Sequence, residues 1–162
     1  MTASDDKLYL SPPIPIQNGW IDYNGHLNMA YYNVVFDQAI DLALVQAGLG
    51  PEYLKRTGFT YVALEAHICY LKEVLLTDAV RVSVQVLDLD AKRLHLFCEM
   101  RHADGSVAAT SEWICVNIDA AKRRSAPWPD DVHSALDAMR QATADSPWPE
   151  RAGRSIGMPR RS

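Results

Sequence analysis

The period of the apolar positions changes along the chain, and each change marks an element. After Asn28, Tyr32, Phe36, Ala39, Ile40, Ala43 and Ala47 recur at steps of three and four, the spacing of one helix face. Val34, Val35, Leu42 and Val45 widen that surface and leave Asn33, Asp37 and Asp41 as a narrow polar line. A helix that is apolar round most of its circumference is expected to be enclosed. Gly48, Gly50 and Pro51 should end it, with one further helical turn over Glu52 to Arg56.

From Phe59 to Ile118 the period falls to two, and the chain reads as strands. Val62, Leu64, Ala66, Ile68 and Tyr70 are expected on one face, with Glu65 and His67 on the other. Val80, Val82, Val84 and Val86 alternate with Arg81, Ser83 and Gln85; Leu94, Leu96, Cys98 and Met100 alternate with Arg93, His95, Phe97 and Glu99. Ala103-Asp104-Gly105 carries a hairpin signal ahead of a last long strand, Val107 to Ile118. Prolines at 12, 13 and 15 restrict Lys7 to Ile16 to an edge strand or arm. Beyond Asp119, Trp128-Pro129 leads into a helix from Asp130 to about Thr143, and a tail with Arg151, Arg154, Arg160 and Arg161 follows, expected to be solvated. One enclosed helix followed by an antiparallel meander is an α+β design.

Composition narrows the function more than the fold. The 162 residues suit one domain. With 48% apolar and 22% charged residues the chain is an ordinary globular one, and a net charge of -4 gives no global reason to expect nucleic acid as a partner. Any nucleotide phosphates must meet a local basic patch. Cys69, Cys98 and Cys115 lie in strands at long, unequal spacings, which points to buried thiols in a reducing compartment and to no metal site. The first seven residues lack an apolar core of signal-peptide type, and no apolar run reaches membrane-spanning length. No membrane association and a cytoplasmic location are expected.

Candidate chemistry concentrates in Trp20-Ile21-Asp22-Tyr23-Asn24-Gly25-His26-Leu27-Asn28-Met29. A carboxylate, amides, a glycine and an imidazole open directly onto the long helix. Gly25 allows a tight turn or close approach to a ligand, and Asn28 suits the N-cap. Amides at such a helix start can polarise a carbonyl or bind an anion. The alternative is that Asp22, Asn24 and Asn28 serve only as turn and cap formers.

Asp22-x-Asn24-x-His26-x-Asn28 ahead of Tyr31-Tyr32 resembles the active-site loop of hot-dog-fold acyl-thioester hydrolases. Asp22 to Gly25 looks like the 4-hydroxybenzoyl-CoA thioesterase type, and the alternating Asp-Asn-His-Asn pattern is similar to plant acyl-carrier-protein thioesterases. Glu65-Ala66-His67-Ile68-x-Tyr70-Leu71-Lys72-Glu73, Asp90 to Leu96 and Gly153 to Arg160 resemble thioesterases of carnitine and betaine catabolism, which act on betainyl-CoA or related short acyl-CoAs. The resemblance covers nearly the whole chain. It implies a hot-dog fold, an antiparallel sheet wrapped around a long central helix, over residues 1–128. Residues 129–162 add a C-terminal helix and basic tail to the same single domain. Homodimers or homotetramers with active sites between subunits are implied too.

Carried over residue by residue, Asp22 would be the base that activates water or the nucleophile that attacks the thioester. Amides around Gly25 and the helix start would hold the oxyanion, with Asn24 and His26 positioning. Asp37, Asp41 and, first among them, Glu65 are rival carboxylates. Trp20, Tyr23, Asn28, Tyr31 and Tyr32 are the expected substrate-binding residues, and Trp113 is a further aromatic for a trimethylammonium group. Lys72, Arg81, Lys92, Arg93 and the tail arginines are available to the phosphates of CoA. Coenzyme A enters as part of the substrate, with no separate cofactor and no metal. Two other readings stand beside this one: an acyl-CoA sensor domain without catalysis, and a hot-dog enoyl-thioester hydratase or dehydratase.

Overall fold

The computed structural model describes residues 8–158; Lys7 at the start of the proline-rich arm and Arg160 and Arg161 of the tail lie outside them. The arm forms two short edge pairings, β1 (Tyr9–Leu10) and β2 (Ile14–Pro15), both antiparallel to β4 (Ala79–Leu89). Between them Ser11 is fully buried, and its hydroxyl accepts the Val82 amide at 2.9 Å, bridging the ladder where the prolines interrupt it.

The long helix, α1 (Met29–Val45), starts where Asn28 accepts the Ala30 amide through its side chain at 3.0 Å, as the cap rule predicts. After Gly48 and Gly50, α2 (Pro51–Thr57) is longer than the single turn expected. The strands follow as β3 (Phe59–Tyr70), β4, β5 (Arg93–Arg101) and β6 (Val107–Asp119), with a short β7 (Arg124–Ser125) and the final helix α3 (Asp130–Ala142). The antiparallel sheet runs β1-β4-β5-β6-β3, which leaves β3 at one edge. The Asp104 turn closes as expected, with the Gly105 amide on the His102 carbonyl and Gly105 at φ 83°.

The inner face of the sheet packs against α1. Tyr32, Val35, Phe36, Ala39, Ile40, Ala43 and Leu44 are buried against Val80 to Val86 of β4, Leu94, Leu96 and Met100 of β5, and Trp113 of β6. Each fully buried large apolar side chain contributes about 1.5–3 kcal/mol. Trp128, Val132 and Leu136 join the same core, so the C-terminal helix belongs to it.

Three expectations need correction. First, α1 is not enclosed within one chain: Val34, Leu42 and Val45 are exposed on the side away from the sheet, along with Asp37 and Asp41. Second, the faces of β3 do not alternate evenly. The register slips between Ala63 and Glu65, so Leu64 is an extra residue and the side chains exchange faces across it. Tyr61 and Ala63 pair with Asn117 and Cys115 on the inner side before the bulge, and Ala66 with Trp113 after it; Val62 therefore lies on the outer face. Third, the described part of the tail is not simply solvated. The Gly153 amide donates to Glu112 Oε2 at 2.7 Å, Glu112 Oε1 meets His95 Nε2 at 2.7 Å, and Trp148 packs edge-on against His95. The tail thus returns across the outer face of β5 and β6, where Phe97 is 4% exposed.

Of the thiols, Cys98 and Cys115 are buried, and burial pushes Cys115 up to about 12, so both are inert packing groups. Cys69 departs from that expectation by being half-buried.

Candidate active site

Residues Trp20 to Met29 form a closed turn leaning on the C-terminal end of β3. The Asp22 amide donates to the His26 carbonyl at 3.1 Å and the Gly25 amide to the Asp22 carbonyl at 3.0 Å, a turn that needs Gly25 at φ 84°. Asp22 Oδ1 accepts the Asn24 amide at 2.8 Å, which orients the carboxylate; Oδ2 accepts no bond among the described residues. The Leu27 amide reaches the Val74 carbonyl at 2.7 Å and the Asn28 amide the Trp20 carbonyl at 2.9 Å. Leu27, 1% exposed, plugs the turn into the core, while Trp20 stacks on Tyr31 at 5.7 Å behind it.

The turn walls a cleft of about 330 Å³ lined by Asp22, His26, Met29, Tyr32, Tyr70 and Glu73, among others. His26 Nδ1 lies 3.4 Å from the Leu27 carbonyl, and Nε2 lies 3.9 Å from Glu73 Oε1. Tyr32 donates to the Lys72 carbonyl and Tyr70 to the Met29 carbonyl, each at 3.2 Å; the two rings meet edge to face at 5.1 Å. Burial pushes both phenols above their usual range, so they stay neutral donors. The Gly25 amide is consumed by the turn. Of the loop residues that line the cleft, His26 and Met29 have backbone amides with no partner among the described residues. A carboxylate with one oxygen free, an imidazole and two unpaired amides in one cleft can activate water and stabilise an oxyanion.

Not every expected residue comes to this cleft. Asp22, His26, Tyr32 and Lys72 line it; Asn24, Gly25 and Asn28 build its turn; Trp20 and Tyr31 back it from the core. Tyr23, 97% exposed, faces away into solvent. Glu65 and Arg93 line a second cleft, of about 390 Å³, with His95 on the outer side of the sheet. Arg93 is held there by Asp90, whose carboxyl sits down at about 2, chiefly through the Lys92 amide and then Arg93 itself. Lys92 reaches Ser125 at 3.3 Å. Within one chain, then, Glu65, Lys92 and Arg93 are not neighbours of Asp22.

Asp37 and Asp41 border a third cavity with Tyr61 and Trp113, beside α2. Tyr61 makes a short hydrogen bond to Asp41, and burial, then Asp41, holds the Asp37 carboxyl above the usual range. Trp113 is 6% exposed and a core residue. Glu73 and Tyr70 are the cleft residues that sequence reasoning did not assign. Their signal was present in the motif ending Tyr70-Leu71-Lys72-Glu73, but this segment meets the Asp22 turn through the long-range Leu27–Val74 bond.

An antiparallel sheet on one long helix, with a carboxylate turn at the helix start, defines the class: a hot-dog fold of the thioesterase kind. Residues 16–136 match the thioesterase-like superfamily, and the chain belongs to that family. It is 35% identical over 150 residues to the betainyl-CoA thioesterase of Pseudomonas aeruginosa, covering 90% of this chain and 92% of that one. It is 33% identical over 146 residues to the L-carnitine dehydrogenase/betainyl-CoA thioesterase of Rhizobium meliloti, covering 90% of this chain and 29% of that longer protein. Among solved structures, a hypothetical protein from Staphylococcus aureus in complex with CoA superposes with a TM-score of 0.88 at 30% identity, over 94% of this chain and 96% of that one.

Proposed function

We propose that this protein hydrolyses a small acyl-CoA, with betainyl-CoA as its substrate, to the free acid and CoA. The observation that carries the reading is the end-to-end likeness to a betainyl-CoA thioesterase, 92% of whose length is matched. The cleft supplies the chemistry. Asp22 Oδ2 takes a proton from water, the resulting hydroxide forms the bond to the thioester carbon, and the negative oxygen is held by the His26 and Met29 amides. Collapse breaks the carbon–sulfur bond; the thiolate leaves with the electron pair and takes up the proton. A thioester is activated enough for one carboxylate and an oxyanion site to suffice, so the reading asks for no cofactor beyond the CoA of the substrate.

The finer assembly belongs to the same reading. The unpaired edge of β3 lies in a chain that also exposes Val34, Leu42 and Val45 on α1 and Val62 and Leu64 on β3. That surface supports a homodimer, with or without further pairing to a tetramer, and a second copy would complete the cleft with cations for the CoA phosphates. No helix among the described residues is long and apolar enough to cross a membrane.

The test is free-thiol release by the purified protein from a panel running from acetyl- and betainyl-CoA through medium-chain to aryl-CoA. Turnover of betainyl-CoA above the rest is expected. Binding of acyl-CoA without thiol release would leave a sensor domain instead, and hydration of an enoyl-CoA without thiol release a hydratase.

A further inference from the structure

We propose that Glu73, with the ring of Tyr70 beside it, selects a cationic acyl group in the Asp22 cleft. The inference rests on the thioesterase reading and names the residue that reads the substrate's charge.

In an acyl group whose quaternary nitrogen is one carbon from the carbonyl, the positive charge lies only about 2.5 Å from the atom under attack, given ordinary bond lengths. Whatever recognises it must share the cleft with Asp22. Asp37 and Asp41 fail on that ground within one chain: Asp37 is eight residues beyond Met29, about 12 Å along the helix. Glu73 does share it, as the one carboxylate besides Asp22 in the lining of the cleft.

The charge of Glu73 is also unspent. Its side chain is 73% exposed and its one ion pair is the long contact with His26 at 3.9 Å; no lysine or arginine pairs with it among the described residues. The neighbouring Lys72 lines this cleft too, and its side chain is shared with the adjoining cavity, where it acts on the Asp104 carboxylate; its carbonyl accepts the Tyr32 hydroxyl. Asp104 is held below the usual carboxylate range by Ser106 first, and then by Lys72 and His102.

Tyr70 supplies the second half of the site. Its ring is 45% exposed, yet fixed by the hydroxyl bond to Met29 and by the edge-to-face contact with Tyr32. An aromatic face next to a carboxylate is the pairing that holds a trimethylammonium group, which cannot donate hydrogen bonds.

The test compares betainyl-CoA with 3,3-dimethylbutanoyl-CoA, in which a tert-butyl group replaces trimethylammonium in the same shape without charge. The unaltered protein should favour the cationic substrate in kcat/KM by tenfold or more. Glu73→Gln should lower kcat/KM for betainyl-CoA about tenfold, mostly through KM, and change the neutral isostere less than about twofold. Tyr70→Leu should act in the same direction, and far-ultraviolet circular dichroism and a melting temperature unchanged from the unaltered protein show that both variants fold. An equal loss on both substrates, or an unchanged preference in Glu73→Gln, overturns the assignment while leaving the thioesterase reading intact. Absence of thiol release from both substrates with the unaltered protein removes that reading and the proposal with it.

Discussion

At the scale of single residues, the chain uses buried polar groups sparingly and pairs nearly all of them; among the described residues the indole Nε1 of Trp128 is the buried side-chain atom left without a partner. Asn117, fully buried on β6, accepts the Tyr53 hydroxyl at 2.8 Å and donates to the Ala126 and Pro127 carbonyls, tying α2 to the loop before α3. Tyr53→Phe removes the donor and leaves a buried acceptor, so a loss of about 1–3 kcal/mol is expected in urea unfolding. The pH dependence has a definite sign. Burial pushes Tyr53 up to about 12, against the opposing effect of the Asn117 bond, from an unfolded value of 10. Its contribution is therefore complete below pH 10 and is lost as pH rises through 10 towards 12. The fall in stability over that window should be shallower in Tyr53→Phe; an unchanged alkaline limb would count against this role.

Residues with local roles were legible in the sequence for the same reason that they work. The Asn28 cap, the Gly25 turn and the Asp22 to Asn24 bond each involve neighbours two or three positions apart. Glu73 was not, because its meaning depends on a segment 47 residues away: His26 belongs to the turn and Glu73 to the end of the following strand. Which of the amides around Gly25 and the helix start stay free was not legible: Gly25's own closes the turn, and those of His26 and Met29 have no partner among the described residues.

At the scale of elements, periodicity carried the helix and all four long strands, with ends within a few residues. It failed at Leu64, where one inserted residue reverses the faces of half a strand. Alternation in the sequence continues across the bulge because Val62 and Leu64 are apolar for another reason: they are exposed on the unpaired edge strand. The same holds for α1. Its apolar girth predicted an enclosed helix, but one chain covers only part of it, leaving Leu42 48% exposed beside Leu64 of β3 at 61%. In the proposed dimer a second copy would cover both surfaces. Sedimentation at micromolar concentration should show a dimer or larger species, and Leu42→Asp combined with Leu64→Asp should shift it to monomers with unchanged far-ultraviolet circular dichroism. A monomeric unaltered protein would contradict this account of the exposed faces.

At the scale of the whole molecule, the cleft is assembled from a turn, the start of α1 and the far end of β3, all braced on one core. The tail contributes by returning over the outer face, where Glu112 holds both His95 and the Gly153 amide. Sequence reading placed the tail arginines among the cations available to CoA; of those described, Arg151 and Arg154 follow the docked Trp148 on that outer face, away from the lining of the Asp22 cleft. The central claim is that Asp22 in this cleft drives thioester hydrolysis. The measurement that tests it most directly is the turnover of betainyl-CoA by Asp22→Asn, read as free thiol, beside the melting temperature of the variant. A fall of at least about a hundredfold in kcat with the melt unchanged is the expected result, the scale on which a general base contributes. Turnover kept within a few fold by a folded Asp22→Asn protein would contradict the account and move the chemistry to another carboxylate, Glu65 first.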